Sequence, residues 1–294
     1  MLYNESKSKQ GCNLIAMTTT SFEPGVARRL RTEIPKLDEN LPVWARRSNP
    51  IIRRQLGIYW RVFIPQLDFL SRWYLYQAVI ILLTAQFDFL FAPVLMLVLA
   101  SFMLLPIAFY MYAKMLSEIV VDSVTAITDE FKNETLMLLR VTPFSAQHII
   151  LSKVAGAFWR QMESLDGVLT MALFLGTPVI VFQQVLAYSP EDHFLLPQTI
   201  SVAVMLVSLV RLPLEMFMIG MIGMVSGTAT RNRSMGIIVA SVFTFFYFLL
   251  LNLPRLVDLP LILYLLVEVV LPLMLPIYII WGGLRATLAM LLRD

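Results

Sequence analysis

Long apolar runs alternate with short polar segments over most of the chain. An apolar run of about twenty residues is long enough to cross the hydrocarbon core of a bilayer as a helix. The pattern therefore predicts an all-α polytopic membrane protein with six transmembrane helices. The predicted spans are Trp73–Phe87, Leu90–Ala113, Val168–Ala187, Thr199–Gly227, Met235–Leu251 and Leu261–Trp281.

The amino-acid composition favours the same class. Apolar residues make up 58% of the 294 residues and charged residues only 15%, whereas a soluble domain carries about 25% charged residues. Cys12 is the only cysteine, which excludes disulfides within the chain and zinc sites built from several cysteines. No set of side chains suggests a catalytic site or a metal site, so we expect neither.

Lysine and arginine are distributed very unevenly on the two sides of the predicted spans. Arg211 lies within a span. Of the other lysines and arginines, all except Arg255 fall on the side that holds both termini. By the positive-inside rule, this bias predicts that both termini and the polar insert at about 114–162 are cytoplasmic. The chain is then an integral protein of the plasma (cytoplasmic) membrane, with membrane lipids as its surroundings.

Three regions follow from these patterns. Residues 1–48 are polar and proline-containing, which predicts a flexible cytoplasmic N-terminal tail. Residues 49–67 alternate apolar and basic positions at helical spacing, with Asn49 as N-cap and Pro50 at the first position. They are predicted to form an amphipathic helix in the headgroup layer. Residues 68–294 form the six-helix transmembrane domain.

The polar insert is predicted to be a helical hairpin that joins spans two and three. Span two should continue into the cytoplasm as helix, because Glu118 and Asp122 follow it at i,i+4 spacing. A short helix from about Asn133 should end before Pro143, since proline disfavours helix in the preceding residue. Ser145 is then a suitable N-cap for the helix that returns to the membrane.

The insert contains, in order, Glu130-Phe131-Lys132-Asn133-Glu134-Thr135, Leu136-Met137-Leu138-Leu139, Thr142-Pro143-Phe144-Ser145 and Lys153. These segments resemble the cytoplasmic loop of exporter-type ABC-transporter permeases, a family with six transmembrane helices per subunit. That loop typically reads Glu-Phe-Arg-Arg-Gly-Thr, an apolar run, Thr-Pro-Leu-Ser and then a lysine. Two positions depart from the pattern, because Glu134 replaces the usual glycine and Met137 replaces a common acidic residue. The start Asn49-Pro50-Ile51-Ile52-Arg53-Arg54 is also similar to the opening of that family's interfacial helix.

The resemblance implies that the insert docks on a separate ABC ATPase subunit and transmits its motion to the spans. The implied docking residues are Glu130, Phe131, Lys132, Glu134, Thr135, Thr142, Pro143 and Ser145. It also implies a second permease copy or a related permease as partner, with ATP and Mg bound by the ATPase subunit. This chain has no glycine-rich loop ending in Gly-Lys-Ser/Thr, so we expect it to bind no cofactor and to be no enzyme itself. We expect no nucleic-acid partner.

Charged and small residues occur inside the predicted fourth span. Arg211 and Glu215 lie one helical turn apart on either side of Pro213. Because a charge in lipid is costly, such a pair is expected to face the bundle, as a structural pair or as the lining of a substrate pathway. Gly223 and Gly227 are spaced to allow close approach of a neighbouring helix.

Glu268, in the predicted sixth span, is a second candidate for a pathway residue. Taken together, these patterns and the resemblance suggest the permease subunit of an ATP-driven exporter for a hydrophobic or amphiphilic substrate. The alternative is a non-transporting membrane subunit that anchors or assembles a larger complex. A redox or quinone-binding subunit is disfavoured, because the chain has only two histidines.

Overall fold

The computed structural model describes residues 40–57, 67–135, 143–187, 195–256 and 260–293, and within these residues the regular structure is entirely helical. Helix α8 begins at Leu261, ends at Arg293 and contains a π-helical turn at Leu266–Val270. Helix α5 contains a similar turn at Ala172–Gly176. The other helices are α1 (Pro50–Leu56), α2 (Leu67–Leu83), α3 (Phe91–Lys132), α4 (Ala146–Arg160), α5 (Met162–Ala187), α6 (Leu196–Thr230) and α7 (Arg233–Asn252). Short 3-10 turns lie at Val43–Ala45, Asp88–Leu90 and Leu253–Leu256.

Five of these helices are long and apolar enough to cross a membrane, namely α3, α5, α6, α7 and α8. This is the all-α architecture of an integral membrane protein, as the hydropathy pattern predicts. Helix α2 is also apolar, but its 17 residues give about 26 Å of helix, slightly less than the hydrocarbon thickness of about 30 Å. The sixth span, the choice of membrane and the side on which each terminus lies remain predictions.

Helix α6 forms the centre of the bundle and packs against α3, α5, α7 and α8. Five methionines on α6 are fully buried: Met205, Met216, Met218, Met221 and Met224. Unbranched thioether side chains adapt to irregular gaps, which suits a helix with neighbours on all sides. The large exposed apolar side chains lie mainly on the outer faces of α2, α3, α7 and α8, where a bilayer would cover them.

Glycines bring α3 and α6 into very close contact, as the spacing in the sequence predicts. A Cβ atom on Gly227 would lie 2.5 Å from Ile127 Cγ2 and 3.2 Å from the Val124 carbonyl oxygen. A Cβ atom on Gly223 would lie 2.8 Å from Ser123 Cβ. A larger side chain at either position would force its neighbours to shift, so these glycines let the two helices pack in direct contact.

Helix α3 continues without a break from the bundle to Lys132, at the tip of the polar insert. Its 42 residues extend over about 63 Å, roughly twice the hydrocarbon thickness. The prediction that the second span continues as helix past Glu118 and Asp122 is therefore confirmed. The predicted short helix from Asn133 falls largely on residues 136–142, which lie outside the described residues.

Candidate functional site

A buried ion pair joins the end of α3 to α4 within the insert. Lys153 Nζ lies 2.9 Å from Glu130 Oε1 and also donates a hydrogen bond to the Ala126 carbonyl oxygen at 2.8 Å. The two side chains are only 7% and 12% exposed. The Thr135 hydroxyl donates a further hydrogen bond to Glu130. The Glu130 carboxylate therefore connects the end of α3 to Thr135 and to the returning helix α4.

The electrostatics of Glu130 and Lys153 follow from this arrangement. Burial raises the pKa of Glu130, but the hydrogen bonds from Thr135 and Lys153 outweigh burial and leave the pKa below its ordinary value. Burial lowers the pKa of Lys153, and the neighbouring Glu130 carboxylate offsets this only in part. Loss of either partner would leave the other as a poorly solvated charge.

The exposed tip of the insert carries both signs of charge. Lys132, Asn133 and Glu134 are exposed and come directly after the buried Glu130. Glu134 has a backbone φ of 54°, in the left-handed region that glycine adopts without a steric penalty. This position is where the resembled permeases carry glycine, so the backbone conformation gives a physical reason for glycine there.

Phe131 points into the protein rather than outward. It packs beside a buried apolar cluster that includes Ile127, Ile150 and Met221, and the Arg231 guanidinium lies 5.3 Å from its ring centroid. The aromatic ring thus attaches the end of α3 to α4 and to α6. The docking role predicted for Phe131 stays a prediction.

The remaining predicted docking residues lie around the return turn. Pro143 and Ser145 are exposed, and Ser145 caps α4 by accepting a hydrogen bond from the His148 backbone N–H at 3.2 Å. The predicted cap is therefore confirmed. Thr142 lies outside the described residues. The structure thus brings Glu130, Phe131 and Thr135 together as internal supports, whereas Lys132, Glu134, Pro143 and Ser145 are accessible.

Helix α1 is docked on α4. The Asn49 side chain accepts a hydrogen bond from the Ile51 N–H at 3.0 Å, which confirms the predicted cap, and donates to Ser152 Oγ at 2.9 Å. Ile52 and Leu56 pack with Ala155 in a small buried cluster. A protein surface therefore covers the apolar face that the sequence assigns to lipid headgroups. The described helix ends at Leu56, and residues 58–66 of the predicted 49–67 helix lie outside the described residues.

Polar contacts complete the attachment of α1 to the insert. Arg160 donates to Asp122 Oδ1 on α3 at 2.7 Å and to the Gln55 carbonyl oxygen of α1 at 2.8 Å. A Cβ atom on Gly156 would lie 2.3 Å from Gln55 Oε1, so a larger residue there would require the Gln55 side chain to move. The α3 extension, α4 and α1 therefore pack as one body.

A second ion pair lies inside the bundle. Arg211 Nε donates to Glu215 Oε1 at 2.6 Å, one turn apart on α6 as the sequence predicts. Two tyrosines also donate to this carboxylate, Tyr112 of α3 to Oε2 and Tyr247 of α7 to Oε1, the latter at 2.7 Å. Glu215 is thereby completely buried. Sequence reasoning missed both tyrosines, because a tyrosine in an apolar run has no pattern that specifies its hydroxyl partner.

The Arg211–Glu215 ion pair lies close to the insert, although both residues are near the middle of α6. Tyr112 is two residues before Lys114, an exposed residue that forms an ion pair with Glu118. Gly220, five residues after Glu215, already contacts Val154 of the insert helix α4. Glu215 is therefore about 8 Å along the helix axis from the insert, which places the pair in the leaflet on the insert side.

Glu268 is buried within the π-helical turn of α8, and its part in a pathway remains a prediction. Within the described parts of the chain, no three histidine, cysteine or carboxylate side chains group to hold a metal ion. Comparison of the chain with protein-family models, with curated proteins and with solved structures finds no match. The fold and site define a helical membrane protein with a polar insert whose described helices pack against one another.

Proposed function

We propose that this chain is the permease subunit of an ATP-driven exporter that moves a hydrophobic or amphiphilic substrate. In this proposal it has six transmembrane spans, both termini are cytoplasmic, and the exposed tip of the insert docks on a separate ATPase subunit. A second permease copy or a related chain completes the pathway. ATP and Mg are bound by the ATPase subunit.

The observation that carries the proposal is the mechanical continuity between the insert and the bundle. One helix, α3, reaches from the tip at Lys132 to the bundle carboxylate contact at Tyr112. Its outer part is fixed to α4 by the Glu130–Lys153 pair and to α6 by glycine contacts. A force on the tip would therefore be transmitted to the membrane helices rather than absorbed by a flexible loop.

A membrane subunit that only anchors a complex has no need of such a lever. Exposed Lys132 and Glu134 at its tip give a docking partner charges of both signs, which fix orientation more than they add affinity. The anchor remains the alternative, and it predicts that charges at the tip can be exchanged without effect on any nucleotide-hydrolysing partner.

The test is to purify the tagged full chain from its native membranes in mild detergent and to identify the bound subunits by mass spectrometry. The eluate is then assayed for ATP hydrolysis. Exchange of the tip charges, Lys132→Glu with Glu134→Lys, is expected to abolish retention of the ATPase subunit or to uncouple its hydrolysis from transport.

A matched control exchanges the exposed Lys114–Glu118 pair on the shaft of the same helix. The variant Lys114→Glu with Glu118→Lys makes the same change of charge away from the tip, and it is expected to behave as the wild type. Absence of any nucleotide-hydrolysing subunit from the wild-type eluate, or equal retention in both exchanged variants, would favour the anchor.

A further inference from the structure

The Arg211 guanidinium is only partly used by the protein. Its contact with Glu215 employs Nε, whereas a guanidinium has five N–H donors in a planar fork. It also interacts with Tyr247, whose hydroxyl oxygen can accept from the guanidinium while its proton is donated to Glu215. Glu215 in turn accepts from three side chains and is fully buried, so the carboxylate needs no further donor from Arg211.

The two partners of the bundle pair differ in exposure. The Glu215 side chain is 1% exposed, whereas the Arg211 side chain is 20% exposed. If the pair served only to hold α3, α6 and α7 together, both groups would be expected to be buried, because a charge that faces lipid is costly. Part of the Arg211 side chain is therefore accessible from outside the bundle, and any guanidinium N–H at that edge needs an acceptor.

Two exposed apolar residues of α6 precede Arg211 in the sequence and form an apolar strip. Leu206 and Val210 lie one turn apart and are 50% and 54% exposed. A cationic fork beside an apolar strip suits an amphiphile whose head is a phosphate or carboxylate and whose tail is a hydrocarbon chain. The position of the pair in the leaflet on the insert side lets such a molecule reach Arg211 from that leaflet.

From this geometry we infer that Arg211 is a binding site for the oxyanion head of an amphiphile, with its chain along Leu206 and Val210. The inference rests on the proposed function, since it names the class of the transported substrate. The same chemistry is present in an anionic lipid of the surrounding bilayer. Glu215, Tyr112 and Tyr247 act as positioning residues that fix the guanidinium and neutralise it when the site is empty.

The test measures binding to the full-length protein in nanodiscs of phosphatidylcholine, by native mass spectrometry. The probe is dodecyl phosphate, and dodecylphosphocholine is the zwitterionic control with the same tail. The variant Arg211→Gln with Glu215→Gln removes both charges of the pair together, so that no unpaired charge is left in the bundle. The control Lys114→Gln with Glu118→Gln removes an exposed Lys–Glu pair of the same spacing.

The wild type is expected to bind dodecyl phosphate at least about tenfold more tightly than the Arg211→Gln/Glu215→Gln variant, since hydrogen bonds to a charged group are lost. The control variant is expected to match the wild type, and dodecylphosphocholine should not distinguish the three proteins. Both probes have the same tail, so unchanged binding of dodecylphosphocholine by the double variant shows that its loss of dodecyl phosphate binding does not merely reflect a damaged fold.

Equal binding of dodecyl phosphate by the wild type and the double variant would overturn the inference, and so would an equal loss of both probes in the double variant. Repetition in nanodiscs that contain phosphatidic acid identifies the source of the head. Displacement of the probe assigns the site to a membrane lipid, and its retention assigns the site to a separate amphiphile. No ATPase subunit is present in the assay, so a negative result removes this inference and leaves the proposed function to its own test.

Discussion

The insert and the bundle each contain a buried ion pair, and the two pairs are built in opposite ways. Glu130 and Lys153 lie 23 residues apart and connect two helices directly. Arg211 and Glu215 lie on one helix, and tyrosines from two other helices make the cross-links. The insert therefore depends on the charge pair itself, whereas the bundle depends on a carboxylate as a shared acceptor. This difference predicts which substitutions each region tolerates.

The largest effect is expected in the bundle, from Glu215→Leu. The change leaves Arg211 without its counter-ion and deprives the Tyr112 and Tyr247 hydroxyls of their acceptor. Breaking a buried charge pair in this way costs about 3–5 kcal/mol. Thermal unfolding in detergent and the yield of monodisperse protein measure the effect. Glu215→Gln keeps an acceptor oxygen and should cost clearly less, so equal loss in both variants would contradict the role of a shared acceptor.

Lys153→Met should have the next largest effect, and it should be confined to the insert. Glu130 then keeps only Thr135 as a side-chain donor, so the expected cost is near the lower end of the range for broken buried pairs, about 3 kcal/mol. Hydrogen exchange should increase in the last turns of α3 and in α4, with little change in α7. The paired variant Glu130→Gln with Lys153→Met should recover much of the protection, because a neutral pair leaves no uncompensated charge.

Low pH should destabilise the last turns of α3 and helix α4, by less than Lys153→Met does. The pKa of Glu130 is lower in the folded protein than its ordinary value of 4.5. Its contribution to stability is therefore complete above about that pH and is lost as the pH falls through the lowered value. Hydrogen exchange corrected for intrinsic rates should show this transition in the wild type. A Glu130→Gln protein that showed the same transition would assign it to another group.

The smallest expected effect concerns the tip. A residue other than glycine in the left-handed conformation destabilises the folded protein by about 1–2 kcal/mol. Part of this cost is offset, because a residue other than glycine also has a lower backbone entropy in the unfolded chain. Glu134→Gly should thus increase the free energy of unfolding by less than about 1 kcal/mol. The thermal midpoint should rise slightly. Lys132→Gly, at the last position of α3, is the matched control and should lower the midpoint. Destabilisation by both substitutions would show that the conformation at Glu134 carries no strain.

The pattern of the sequence predicted local features well. The confirmed features all follow from residues within a few positions of one another. They are the all-helical class, the continuation of α3 past Asp122, the caps at Asn49 and Ser145, and the Arg211–Glu215 pair. Each depends on the periodicity of one helix or on a side chain that bonds its own backbone. Such features need no knowledge of which helices are neighbours.

Features that join distant parts of the chain could not be predicted. The sequence assigns Glu130 to an external docking contact, but the structure gives it Lys153 and Thr135 as internal partners. It assigns the apolar face of α1 to lipid, but α4 covers Ile52 and Leu56. In both cases an amphipathic or charged pattern specifies that a partner exists and leaves its identity open.

The sequence by itself determined that this chain forms apolar helices with a charged elbow and a costly ion pair on one of them, because hydrophobic length and helical spacing are local quantities. Only the tertiary structure decided that three donors converge on Glu215, that glycines on α6 admit α3, and that the insert is one packed body. Those results depend on distances of a few ångströms between residues tens of positions apart, and such distances are fixed by the packing of all the helices together.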